Sequence, residues 1–232
     1  MPIIQLRPEL HMLVLPFGQA YLWRDAGSVT LVDTGIAGSG SHIAEALGTL
    51  GLRESDIDRV VLTHGHNDHY GAAAEVRAWN GAIVMAHRDD APIVRGEVPR
   101  PSPDLTGWER DLWERLGVDD LPAAPPCPVD RELVDGDVLD FGGGARVIAI
   151  PGHTDGSIAL HLPGPGVLFT GDTVANVGTV MPGVFNTDRE RAMESFRALA
   201  GLEATLACVG HGDPITGDVG AALRAAASAA PA

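Results

Sequence analysis

The stretch Val60-Val61-Leu62-Thr63-His64-Gly65-His66-Asn67-Asp68-His69 organises the chain. Residues 57–62 end in an aliphatic run and read as a short buried strand, while Gly71 and the Ala-rich segment after it open a helix over 72–79. The polar cluster therefore sits in a strand-to-helix loop at the carboxyl end of a strand, where open α/β sheets keep their sites. Three histidines and an aspartate fall within six positions. His64 and His66 are two apart, so they cannot be neighbours on one helix face. A loop can nonetheless turn both imidazoles onto one ion, with Asp68 and His69 close enough to hold a second. Packing is a poor explanation for this cluster, because each imidazole needs a hydrogen-bond partner and a small loop offers few. Imidazole and carboxylate are the usual zinc ligands, and the stretch reads as metal-binding.

Upstream, residues 11–16, 20–24 and 28–32 read as three short strands, separated by the turn signals Gly18-Gln19 and Ala26-Gly27. Asp33-Thr34-Gly35 follows the third. Asp33 either makes an Asx turn or hydrogen-bonds the histidine loop from behind the ligands. His42 lies in a helix over 39–50 and reads as a surface or partly buried residue. A strand over 82–85 is followed by His87, which has no partner at ligand spacing and reads as a non-ligand. The βαβ alternation points to an α/β fold.

Downstream, the chain changes character at about 97–128. Pro99, Pro101, Pro103, Pro122, Pro125, Pro126 and Pro128 flank a stretch, 104–116, in which Trp108, Trp113 and Leu116 have helical spacing. This reads as a lid-like insertion within a single domain spanning 1–232, with Trp108 and Trp113 as candidate substrate contacts; a packed excursion or a homodimer contact are the alternatives. A strand over 146–150 then ends at Pro151-Gly152-His153. Strands over 158–162 and 167–170 follow, the second ending at Gly171-Asp172-Thr173. His161, inside a strand, reads as structural. A helix over 188–199 has Asp188 as candidate N-cap. A last strand, 205–209, ends at Gly210-His211-Gly212 before a closing helix over 219–229. Each half ends its strands at polar residues, which hints at an internal duplication.

Composition narrows the function classes. The 232 residues suit one domain; 45% are hydrophobic and 20% charged, enough for a sizeable core. All 16 basic residues are arginine and the formal charge is −15, which opposes nucleic acid and anionic membrane surfaces. No apolar run approaches the roughly 20 residues that span a bilayer. Residues 1–9 lack a signal-peptide layout. Two cysteines, Cys127 and Cys208, make no disulfide framework. The expectation is a soluble cytoplasmic protein with a small-molecule substrate and no nucleic-acid or membrane partner.

Taken together, His64-Gly-His66-Asn-Asp68-His69, Gly152-His153, Gly171-Asp172-Thr173 and Gly210-His211-Gly, preceded by Val32-Asp33-Thr34-Gly35, resemble the motifs of the metallo-β-lactamase-fold hydrolase superfamily in their order along the chain. The resemblance runs from about Leu13 to the end. It implies a four-layer αββα sandwich of two mixed sheets flanked by helices. It also implies two zinc ions per chain, with iron or manganese as alternatives: His64, His66 and His153 on the first, Asp68, His69 and His211 on the second, and Asp172 bridging. Hydrolysis would follow by attack of metal-bound hydroxide, with Asp68 orienting it and passing on its proton.

Departures from particular branches narrow the substrate. An aspartate at the bridging position resembles the glyoxalase II and lactonase type of site rather than true zinc β-lactamases. Residues 174–182 lack the Cys-Gly-Lys/Arg stretch of glyoxalase II, and 21 residues follow His211, which points away from glutathione thioesters. Ala175 stands near the place of a lactonase tyrosine. The expectation is a hydrolase of a small ester, thioester or lactone. The alternatives are a β-lactam hydrolase, or a mononuclear iron oxidoreductase of the sulfur dioxygenase kind on the same ligands.

Overall fold

Hairpin chemistry builds the first sheet from its amino-terminal edge. In the computed structural model, which describes residues 2–229, β1 (Ile3–Arg7), β2 (Leu10–Val14), β3 (Gln19–Asp25) and β4 (Ser28–Val32) run antiparallel. Ala26-Gly27 closes the β3–β4 hairpin, and Gly27, the second central residue, takes the positive φ that glycine adopts without steric cost. From β4 the sheet continues in parallel through β5 (Ile57–Val61), β6 (Ile83–His87) and β7 (Arg131–Leu133), so its order is that of the sequence. Parallel strands need long crossovers, and these carry the helices α1 (Gly40–Thr49), α2 (Asn67–Tyr70), α3 (Ala73–Asn80) and α4 (Ala91–Val94). Leu22, Leu31, Ile43, Leu47, Ile57 and Val60 are fully buried together. Each contributes about 1.5–3 kcal/mol by leaving water. This unit comprises the chain up to Arg100 together with Leu121–Leu133.

The other unit takes Pro101–Asp120 and the chain from Val134 on. It holds the helix α5 (Gly107–Leu116) and a second mixed sheet. The strands are β8 (Val138–Leu139), β9 (Ala145–Ala149), β10 (Ile158–Leu162), β11 (Val167–Asn176), β12 (Val180–Pro182), β13 (Leu206–Gly212) and β14 (Ile215–Thr216). Their order is β14-β13-β11-β10-β9-β8, with β12 paired to β11; only β11 and β13 are parallel. Helix α6 (Arg189–Leu199) starts at Asp188, whose Oδ1 accepts from the Arg191 amide at 3.0 Å, a direct N-cap. Phe196 and Leu199 of α6 and Leu223 of α7 (Val219–Ala229) are buried with Leu168, Val174 and Val209.

Strands β11 and β13 and helix α5 differ in extent from the sequence reading. Strand β11 does not stop at Thr170 but runs ten residues, through Asp172 to Asn176. Its pairing with β13 slips between Phe169 and Gly171 and again between Gly171 and Ala175, so Asp172 sits in an irregular stretch inside a strand. Likewise β13 continues through His211. Helix α5 begins at Gly107, not Asp104: Thr106 and Glu109 form a capping box that sets the first turn.

Candidate functional site

In the first unit the donors are set by the chain between β5 and α3. His66 is the N-cap residue of α2, with extended backbone, and Asp68 and His69 lie within that single turn. Asp33, at the end of β4, organises them. Its carboxylate accepts from the Thr63 amide and hydroxyl, each at 2.8 Å, and from His69 Nδ1 at 2.9 Å. A carboxylate only accepts, so His69 carries its hydrogen on Nδ1 and turns Nε2 away, to 3.6 Å from Asp68 Oδ2. The one Thr63 hydroxyl hydrogen goes to Asp33. Its oxygen is then the acceptor for His64 Nδ1 at 3.1 Å, which leaves the His64 Nε2 lone pair facing His66 Nδ1 at 3.2 Å. The His64 and His69 rings lie 4.0 Å apart between centroids. Asp90, buried, accepts from the Gly65 amide at 2.6 Å and clamps the loop from α4.

In the second unit three separate segments supply donors. His153 sits after β9, Asp172 inside β11, and His211 inside β13. Asp172 Oδ2 lies 3.5 Å from His153 Nε2 and 3.4 Å from His211 Nε2. Gly210 permits this: a Cβ there would collide with Asp172 Oδ1.

The donors fit a divalent metal. Two nitrogens bound tetrahedrally to zinc at about 2.0–2.1 Å stand about 3.3 Å apart, close to the 3.2 Å between the His64 and His66 nitrogens. The separations of 3.4–3.6 Å among Asp68–His69, Asp172–His153 and Asp172–His211 are long for hydrogen bonds but suit donors that share an ion. His/Asp groups able to hold metal ions are thus present in the chain.

Two histidines outside the donor groups, His161 and His87, have other partners. His161 Nε2 is 2.9 Å from the Glu203 carbonyl, and His87 Nδ1 accepts from the Asp89 amide at 3.3 Å. Of the two α5 tryptophans, Trp113 is buried, edge-on to Phe185 with centroids 5.0 Å apart, whereas Trp108 is 53% exposed. Five residues apart, they point about 140° from each other around the helix. Thr63 and Asp90 escaped the sequence reading. A threonine beside a histidine carries no signal of its own, and the second residue of Asp89-Asp90 acquires its role only when α4 is placed beside the loop.

The metallo-beta-lactamase superfamily model matches residues 14–211. The chain is 31% identical over 232 residues to the probable metallo-hydrolase YflN of Bacillus subtilis, covering 90% of this chain and 85% of that protein. It is 32% identical over 196 residues to the hydroxyacylglutathione hydrolase of Cereibacter sphaeroides, covering 83% of this chain. The chain spans 61% of that relative's length. Among solved structures, a metallo-beta-lactamase family protein from Thermus thermophilus superposes with a TM-score of 0.72 and 26% identity, covering 97% of this chain and 79% of that one. The Rm3 metallo-beta-lactamase does so with a TM-score of 0.73 at 22% identity, covering 99% and 91%, which speaks to fold alone.

Proposed function

The chain belongs to the metallo-beta-lactamase superfamily, and on that premise we propose that it is a dinuclear zinc hydrolase of a small ester, thioester or lactone. In this reading His64, His66 and His153 hold one ion; Asp68, His69 and His211 hold the other, with Asp172 shared. Bound zinc would lower the pKa of coordinated water to about 7 and polarise the scissile carbonyl. The chain's own groups do the rest. Asp33 and Thr63 fix the tautomers of His69 and His64, so that each presents a lone pair at Nε2. Asp68 orients the attacking water, takes its proton and delivers it to the leaving oxygen or sulfur.

The observation that carries the proposal is the Asp172 carboxylate, one oxygen of which stands within 3.5 Å of two imidazoles from different strands and loops. Thioesters enter through the relatives named hydroxyacylglutathione hydrolase. Both cysteines are buried and neither is in a disulfide, which suits the reducing cytoplasm as the place of action. Protein purified without chelator or added metal should hold about two zinc ions per chain and turn over at least one member of an ester, thioester and lactone panel. About one iron per chain, with oxygen consumption on thiol substrates, would overturn the reading in favour of an oxidoreductase.

A further inference from the structure

Among the described residues, the non-glycine positions with positive φ are Asp33 and Phe185, both at 60°. Left-handed backbone is costly for a bulky aromatic, and such strain gathers at functional sites. For Asp33 the return is visible in its three hydrogen bonds to Thr63 and His69. Phe185 has no comparable polar duty, yet it is held with equal care.

The Phe185 amide donates to Glu109 Oε1 at 3.3 Å. The Glu109 side chain is 1% exposed, and it also accepts from the Thr106 amide and hydroxyl at 2.9 and 2.7 Å and from both Arg189 terminal nitrogens at 3.2 and 2.7 Å. Burial opposes its charge, but Arg189 and the Thr106 and Phe185 donors hold the carboxyl down at about 2. Arg189 further donates to the Asp104 carbonyl at 2.8 Å, and the Asp104 amide to the Asn186 carbonyl at 2.9 Å. Helix α5 is thereby tied to the segment 183–189 by charge-assisted bonds.

The same segment is anchored at one end to β11 and at the other to the loop that carries His153. The Gly183 amide donates to the Thr173 carbonyl at 3.0 Å, and the Asp172 carbonyl oxygen occupies the place a Gly183 Cβ would need. At the other end the Asp188 amide donates to the Gly152 carbonyl at 2.9 Å and the Thr187 amide to the His153 carbonyl at 3.3 Å. Phe185 stands half-buried between these anchors, backed edge-on by Trp113. Nearby Val180, Met181, Pro182 and Val184 are also only partly buried, so the surroundings are apolar and accessible.

We propose that Phe185 is the specificity-determining contact of this hydrolase, a rigid aromatic wall against which an apolar acyl chain or aryl group of the substrate packs. The inference rests on the hydrolase reading above and names its substrate class. A wall fixed before the substrate arrives loses little conformational freedom on binding, and each methylene buried against it is worth about fourfold in affinity.

The test compares kcat/KM for p-nitrophenyl acetate, butyrate and octanoate, together with equilibrium dialysis of acetate and octanoate themselves, in the wild type, F185G and F185N. Glycine accepts the left-handed backbone freely; asparagine tolerates it and keeps a side chain, which guards against a loosened loop. The wild type should favour octanoyl over acetyl by at least tenfold, and both variants should lose that preference with unchanged metal content. An unchanged octanoyl-to-acetyl ratio in both variants, in turnover and in binding, would overturn the proposal. If no ester is turned over but octanoate binds the wild type at least tenfold more tightly than F185N, the wall stands and the hydrolase reading falls. If the wild type neither prefers octanoyl esters nor binds octanoate, the wall is overturned.

Discussion

The two donor groups are built by opposite means. In the first unit His64, His66, Asp68 and His69 come from one loop and one helical turn, six consecutive positions in all, and their geometry is set from behind by Asp33, Thr63 and Asp90. In the second unit His153, Asp172 and His211 come from three segments brought together by the β9–β10–β11–β13 pairing. The first is a short local motif with a rigid backing. The second depends on sheet register, because a one-residue slip turns a strand's side chains to the opposite face. The lesson is that the first group should respond most to changes in its hydrogen-bonded backing, and the second to changes that disturb strands or the segment lying on them.

The largest effect is expected where one carboxylate serves two imidazoles. Replacing Asp172 with Ala should lower kcat/KM by on the order of 10²–10⁴ and reduce metal content measured by elemental analysis. Full activity with normal metal would break the account of the second group. Next comes the backing of the first. Asp33→Asn keeps a side chain tolerant of left-handed backbone but offers one acceptor oxygen in place of two. Metal affinity by chelator competition should fall by about 10–100-fold, with thermal stability changed far less than by a core truncation.

The tie between α5 and α6 sharpens the contrast from the side of stability. Glu109→Ala leaves the Arg189 guanidinium, the Thr106 hydroxyl and the Thr106 and Phe185 amides without their shared acceptor. Because Arg189 is 41% exposed, the loss should be about 2–3 kcal/mol in urea unfolding at pH 7. The folded-state carboxyl is depressed to about 2, below its unfolded value near 4.5. Its contribution is therefore complete above the unfolded value and is lost as pH falls towards 2, so wild-type and Glu109→Gln stabilities should converge between about pH 4.5 and 2. The smallest effect concerns the cysteines. Burial pushes the Cys127 thiol up to about 11, and Cys208 is buried in β13. Neither should react with a thiol reagent in the native protein at pH 7, while both should on unfolding.

The family, the two mixed sheets flanked by helices and most of the element order were legible in the chain, because aliphatic runs, turn glycines and the His64–His69 cluster are local signals. Strand β1 and the short strands β7, β8, β12 and β14 were not, since two to five residues carry little periodicity and acquire strand character only from their neighbours. The extents of β11 and β13 were underestimated for a related reason. Gly171 and Gly210 look like strand ends in sequence, yet the parallel ladder runs past both to Asn176 and Gly212.

By itself the sequence determined which side chains are candidates for chemistry. The residue types and the His64–His69 spacing are properties of the covalent chain, and so is the charge of −15. Only the tertiary structure decided which nitrogen of His69 and of His64 carries the hydrogen and which presents a lone pair. It also decided that Asp172 Oδ2 stands between His153 and His211, and that Phe185 is strained and pinned by a buried Glu109. Those are long-range outcomes. Asp33 and His69 are 36 residues apart and Glu109 and Arg189 are 80 apart, so each contact exists only once chain folding has offset the entropy of bringing distant segments together.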